Sequence, residues 1–234
     1  VTVEIDRYLA PMARAEFDPF DNITLLEQDA LRNKNNLDST VIQTLQERVA
    51  AIPGGRIKLV ANLPYNVATP IISNLLDMEP WPARMVTTIQ RELAERITAP
   101  PRSRDYSALS VWIQAQCRAE IVRIMPPTVF WPQPKVESAI LDIRPQKVLR
   151  DRIGDRPYFH RLVRNIFLHR RKFLRSALVS ALKGEMDKEG VDGVLAELKI
   201  EANARAEELT PQQMIELVQV VQERQQATGG ETEH

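Results

Sequence analysis

The chain has 234 residues, 44% hydrophobic and 26% charged, with Lys+Arg and Asp+Glu both at 31. That composition fits one large or two smaller globular domains with a real core, and zero net charge singles out no class of partner. The single cysteine, Cys117, excludes an internal disulfide and any multi-cysteine metal site; no apolar run is long enough for a bilayer-spanning helix, and no signal peptide is visible.

In chain order, residues 1–5 alternate as a strand ending in a carboxylate. The pattern is already under way at Val1, without an initiator methionine, which predicts a chain that has lost an N-terminal piece. Helical spacing over 7–17 puts Tyr8, Leu9, Met12 and Ala13 on one side. A second short strand is predicted at 23–26, followed by Gln28-Asp29-Ala30-Leu31. Asp38-Ser39 can cap a helix running to about Ala51. Residues 56–61 read as a buried strand punctuated by Gly54-Gly55 and Pro64. A helix over 71–78 follows Thr69-Pro70, then a strand at 85–89 and a helix at 91–98. Residues 100–105 form a polar, basic loop, and 106–116 is helical. Two late strands, 119–125 and 136–143, are close enough in sequence to pair antiparallel. Alternating strands and helices argue for an α/β fold with a mostly parallel sheet.

After about Pro145 strand patterns stop. Helical spacing takes over at 158–183, 191–198 and 211–224, which places a domain boundary near 146–156 and leaves 225–234 as a polar, disordered tail. Residues 151–184 carry nine Lys/Arg against two acids, a local net of +7; residues 201–234 carry seven acids and two arginines, a net of −5. The cluster Arg170-Arg171-Lys172 with Arg175 favours a phosphate-binding face over a merely solvated one.

Asn62-Leu63-Pro64-Tyr65 lies where a strand of such a sheet ends, and open α/β sheets place ligands at that edge. Asn62 offers a carbonyl and an amide. Pro64 restricts Leu63 to extended geometry and so aims its carbonyl. Tyr65 adds a flat face with a polar tip. Two acceptors beside an aromatic plate suit an exocyclic amino group on a stacked base. By itself, the tetrapeptide fits a strand-end turn equally well.

Five stretches in order carry a resemblance over nearly the whole chain: Val1-Thr2-Val3-Glu4-Ile5-Asp6; Gln28-Asp29-Ala30-Leu31; Ala61-Asn62-Leu63-Pro64-Tyr65-Asn66; Gln90-Arg91-Glu92-Leu93-Ala94-Glu95-Arg96 followed by Tyr106-Ser107-Ala108-Leu109-Ser110; and Val129-Phe130-Trp131-Pro132-Gln133-Pro134-Lys135-Val136-Glu137-Ser138-Ala139. Phe167, Arg170-Arg171-Lys172 and Leu178 extend it. The chain resembles the small-subunit ribosomal RNA adenine dimethyltransferases. The resemblance implies a Rossmann-like class I methyltransferase domain over 1–148, with a helical RNA-binding domain over 149–234. It also implies N6,N6-dimethylation of two adjacent adenosines near the 3′ end of small-subunit ribosomal RNA, with S-adenosylmethionine as methyl donor, in a cytoplasmic monomer.

Roles follow from the resemblance position by position. Glu4, with Ile5 beside it, would meet the ribose hydroxyls of the cofactor; Asp29, with Ala30, would meet its adenine; Asn62 would border both cofactor and target. Asn62 and the Leu63 carbonyl would accept the two N6 hydrogens of the target base, with Pro64 holding the loop. Tyr65 and Phe130 would stack on the base. Arg164, Arg170, Arg171, Lys172 and Arg175 would hold the RNA. No ligand spacing suggests metal. The family carries a basic arm, a first strand and a Gly-rich loop ahead of the segment that begins here, so the 234 residues alone are expected to lack part of the cofactor site and to be inactive by themselves. Rival readings are a noncatalytic ribosome-assembly factor on the same fold and a large-subunit ribosomal RNA methyltransferase conferring antibiotic resistance.

Overall fold

A computed structural model describes residues 1–201 and 203–229. The chain packs as two compact units, Val1–Ile89 and the part from Gln90 onward.

In the first unit, β1 (Thr2–Val3) and β2 (Leu25–Leu26) pair in parallel, Thr2 opposite Leu25 and Val3 opposite Leu26. The Glu4 N–H donates to Leu26 O at 3.0 Å and carries the ladder one residue further. Between them runs α1 (Leu9–Phe17). Asp6 Oδ1 accepts the Tyr8 and Leu9 N–H groups at 2.7 and 3.1 Å, satisfying donors that a helix start leaves unpaired. Only Ala10 of α1 is buried; Tyr8, Leu9 and Met12 are exposed. β3 (Leu31–Asn33) and β4 (Asn36–Leu37) form a small hairpin that the sequence did not announce. Its turn is closed by Asn33 Oδ1, which accepts from the N–H groups of Asn35 and Asn36 at 2.9 and 3.0 Å.

Asp38 caps α2 (Ser39–Ala50) as expected, accepting the Thr40 N–H at 2.8 Å. β5 (Lys58–Asn62) and β6 (Arg84–Gln90) are parallel, in register from Lys58–Arg84 to Asn62–Thr88. The crossover between them is α3 (Ala68–Asp77). Ala68, Ile71, Ile72, Leu75 and Leu76 are its buried residues, the spacing of a helix with one face on a core. The helix starts two residues before Pro70 rather than after it, so Pro70 sits within the first turn, where a missing N–H costs nothing.

The second unit opens with α4 (Arg91–Thr98) and α5 (Ala108–Gln114), then β7 (Cys117–Met125) and β8 (Ser138–Pro145). The two strands are antiparallel, from Cys117–Pro145 to Met125–Ser138, with an irregularity between Ile121 and Arg123. Helices follow: α6 (Lys147–Arg150), α7 (Arg156–Leu168), α8 (Leu174–Ala181), α9 (Lys188–Glu197) and α10 (Pro211–Gly229). The single helix read over 158–183 is two helices, broken at His169–Phe173. Residues 225–229, expected in a disordered tail, continue α10; residues 230–234 lie outside those described.

The core of this unit is aromatic. Trp112 of α5 is fully buried, stacks on His160 at 4.2 Å and meets Phe159 of α7 at 6.3 Å. Tyr106 is also fully buried, edge-on to Phe167 at 6.2 Å, with its hydroxyl donating to Leu209 O at 3.0 Å. Burial pushes the Tyr106 phenol and the Cys117 thiol well above their ordinary pKa values, so both stay protonated and serve as packing. Fully burying side chains of this size contributes about 2–3 kcal/mol each.

Candidate active site

Asn62 is the last residue of β5, and its side chain is exposed. Leu63 is buried, and its N–H donates to Thr88 O at 3.1 Å, one step past the regular ladder. That bond fixes the orientation of the Leu63 peptide just before Pro64 leaves the sheet. The Pro64 carbonyl then accepts the Val67 N–H at 3.1 Å, closing a turn that leads into α3. Among the described residues, neither the Asn62 side-chain carbonyl nor the Leu63 backbone carbonyl receives a hydrogen bond. Two unspent acceptors therefore stand on successive residues of a held segment. Tyr65 is half-buried in the turn.

Glu4 and Asp29 leave the carboxyl ends of the paired parallel strands β1 and β2. Glu4 Oε1 accepts the Asp6 N–H at 2.8 Å, and Asp29 Oδ1 accepts the Leu31 N–H at 2.9 Å. Among the described residues, the second oxygen of each carboxylate receives no hydrogen bond. Ile5 is exposed beside Glu4, and Ala30 is half-buried, its carbonyl accepting the Asp38 N–H at 2.9 Å. The pair thus offers acceptors for hydroxyl or amino donors at the sheet edge where α/β folds take nucleotides.

Phe130 lies on the loop between β7 and β8. It is half-buried and extended (φ −112°, ψ 149°), and its N–H donates to Pro127 O at 3.2 Å. The far end of this loop is tied to the start of α4. Arg91 Nη1 donates to Glu137 Oε2 at 2.7 Å, the Arg91 N–H to Glu137 O at 3.0 Å, and Arg91 Nε to Glu95 Oε1 at 2.6 Å. Bonds to Glu95 first and Glu137 second push the Arg91 pKa up. Sequence reasoning missed this clamp: Arg91 and Glu137 both fall in quoted stretches, but no periodicity joins residues so far apart.

The five basic candidates divide into two groups. Arg170 pairs with Glu207, and its Nη2 donates to the carbonyls of Ser103 and Arg104 at 3.2 and 2.6 Å. Arg175 makes a bidentate pair with Asp192 at 2.5 and 2.7 Å, which holds the Asp192 carboxyl below its ordinary pKa. These two arginines bind the fold. Arg164, Arg171 and Lys172 are exposed and make no ion pair among the described residues. No cluster of three or more His, Cys, Asp or Glu among the described residues could hold a metal, and none of the described helices is long and apolar enough to cross a membrane.

The parallel strand–helix–strand units β1–α1–β2 and β5–α3–β6 are those of a Rossmann-like α/β fold. A dimethyladenosine transferase from Plasmodium falciparum shares it at TM-score 0.75 and 20% identity, over 95% of this chain and 82% of that one. The 23S rRNA methyltransferase ErmE matches at TM-score 0.56 and 20% identity, over 94% and 80%. In sequence, the family model described as ribosomal RNA adenine dimethylase matches residues 1–223. The ribosomal RNA small subunit methyltransferase A of Anaeromyxobacter dehalogenans is 42% identical over 213 residues, 90% of this chain and 71% of that protein. Its namesake in Ligilactobacillus salivarius is 37% identical over 218 residues, 93% and 71%. The chain belongs to the ribosomal RNA adenine dimethylase family.

Proposed function

We propose that this protein serves as a ribosomal RNA adenine N6,N6-dimethyltransferase of the small subunit, acting on two adjacent adenosines near the RNA 3′ end during ribosome biogenesis in the cytoplasm. The observation that carries the reading is the pair of unspent acceptors, Asn62 Oδ1 and Leu63 O, on a segment locked by the Leu63 N–H to Thr88 bond.

The N6 lone pair of adenine is delocalised into the ring, which makes the amine a poor nucleophile. Asn62 Oδ1 and Leu63 O each accept one N6 hydrogen and so favour the tetrahedral nitrogen that attack requires. Fixed orientation lowers the barrier without a strong base. The proton departs to solvent after the carbon–nitrogen bond has formed, since the methylated exocyclic nitrogen is then strongly acidic. Tyr65 supplies one aromatic face for the unstacked base, and Phe130 is assigned a second. S-adenosylmethionine, when bound, supplies an electrophilic methyl on its sulfonium. The donor set fits that group: Glu4, flanked by Ile5, has a carboxylate oxygen left for ribose hydroxyls, and Asp29, flanked by Ala30, has one left for an adenine amine. Asn62 borders both ligands.

Arg164, Arg171 and Lys172 are assigned to RNA phosphates, while Arg170 and Arg175 hold the elements that present them. The functional division is placed at 148/149, with methyl-transfer elements before it and RNA-holding helices after it. The protein is taken to work as a monomer.

The test is transfer of labelled methyl to small ribosomal subunits from an unmethylated source, with the gene product as the cell makes it. Label in two adjacent small-subunit adenosines supports the reading. RNA binding without transfer points to a noncatalytic assembly factor, and label in large-subunit RNA overturns the substrate assignment.

A further inference from the structure

We propose that Trp131 is a stacking platform for the nucleobase directly next to the target adenosine, so that the loop between β7 and β8 grips two consecutive bases. The inference rests on the functional reading above.

Trp131 is 96% exposed, a bulky indole held almost wholly in water. Scattered surface apolar residues need no explanation, but an exposed Trp on a stiff loop beside a proposed base-binding Phe is a different case. The loop holds Pro126, Pro127, Pro132 and Pro134, each with a restricted φ. Its far end is clamped by the Arg91–Glu137 pair. A ring on so constrained a backbone loses little freedom when a ligand covers it. Lys135, four residues along, is exposed and makes no ion pair among the described residues, which leaves a cation for a nearby phosphate.

Geometry and chemistry select a base as the occupant. Phe130 and Trp131 are adjacent in a bend of the loop that follows the short turn at Pro127–Val129. The half-buried Phe130 and the exposed Trp131 thus offer two faces one residue apart. Taking one adenosine out of a stack leaves its chain neighbour with a bare face, at a cost of a few kcal/mol. An indole covers a purine face and restores that contact irrespective of base identity.

The test uses an RNA hairpin with two adjacent adenosines in its unpaired loop and 2-aminopurine replacing each in turn. Stacking quenches 2-aminopurine. With the unaltered protein, emission from the neighbour position is expected to fall on binding. With Trp131→Ala that quenching is lost and affinity drops about tenfold, while Trp131→Tyr keeps most of both. An abasic nucleotide at the neighbour position should weaken the unaltered protein equally, and Trp131→Ala should add nothing further. Retained binding with emission indifferent to Trp131 overturns the assignment alone. If Trp131→Ala weakens association with small ribosomal subunits but not with the hairpin, the platform serves a protein partner and the proposal fails. No hairpin binding by the unaltered protein overturns both this inference and the functional reading.

Discussion

Asn62 and Leu63 matter for what they leave unpaired, and that makes their substitution informative. Asn62→Ala removes an acceptor from an exposed side chain, so the fold should be unaffected while kcat falls about a hundredfold or more. Circular dichroism and single-turnover methyl transfer check the two halves; an active Asn62→Ala protein would sink the mechanism. The basic candidates make the converse point. Arg170 is half-buried with Glu207 and two carbonyls as partners, so Arg170→Ala should destabilise the protein by roughly 1–2 kcal/mol. Lys would not replace it, because a single ammonium cannot span the carboxylate and two carbonyls with the same planar fork. Arg171→Ala should leave the denaturation midpoint within about 0.5 kcal/mol of wild type and weaken RNA binding instead. Urea unfolding beside RNA titration separates these outcomes. The sequence placed all the basic residues on one list, because pairing between positions as distant as 170 and 207 leaves no periodic mark.

Elements carry the next level of control. The loop between β7 and β8 presents Phe130, and the Arg91 clamp fixes its far end. Arg91→Met should lower kcat about tenfold with cofactor affinity unchanged, since a small misplacement of a contacting group is costly. Combining it with Glu137→Gln should add little, because both substitutions cut one tie; additive losses would show that the clamp is not what positions the loop. At α2, the Thr40 N–H and the Gln28 amide, in that order, lower the Asp38 pKa. The carboxylate contributes stability above its unfolded pKa of about 3.9, and the contribution is lost as pH falls through the lower folded value. Asp38→Asn should therefore flatten the acid limb of stability against pH, followed by fluorescence at fixed urea. Elements with strong local signals were legible beforehand: α2 through its cap and β5 through its punctuation, although β5 was expected to be buried and instead alternates exposed and half-buried residues, Val60 being 80% exposed. The hairpin β3–β4 was missed because its strands are two or three residues long and are set by the Asn33 turn rather than by alternation. On α1, spacing told which residues share a face, not whether anything packs against it.

The whole molecule is neutral, yet its segments are not, and the structure shows where their charge goes. Of the nine cations in the +7 segment, Arg170 is matched by Glu207, Arg175 by Asp192 and Arg161 by Glu185, all of these acids lying further along the chain. The acidic stretches after that segment thus act partly as internal counterions, which a count of local net charge cannot reveal. Only cations without such partners can displace counterions from RNA. If Arg164, Arg171 and Lys172, together with Lys135, make the phosphate contacts, the slope of log K against log salt should be about −3 to −3.5. Engaging Arg170 and Arg175 as well would give about −4 to −5.5. A binding series over salt concentration with the RNA hairpin decides between them. The steeper value would mean that Arg170 or Arg175 leaves its carboxylate when RNA binds. That would make the ion pairs a reserve of charge released by the ligand, and Asp192→Asn, which frees Arg175, would then tighten binding.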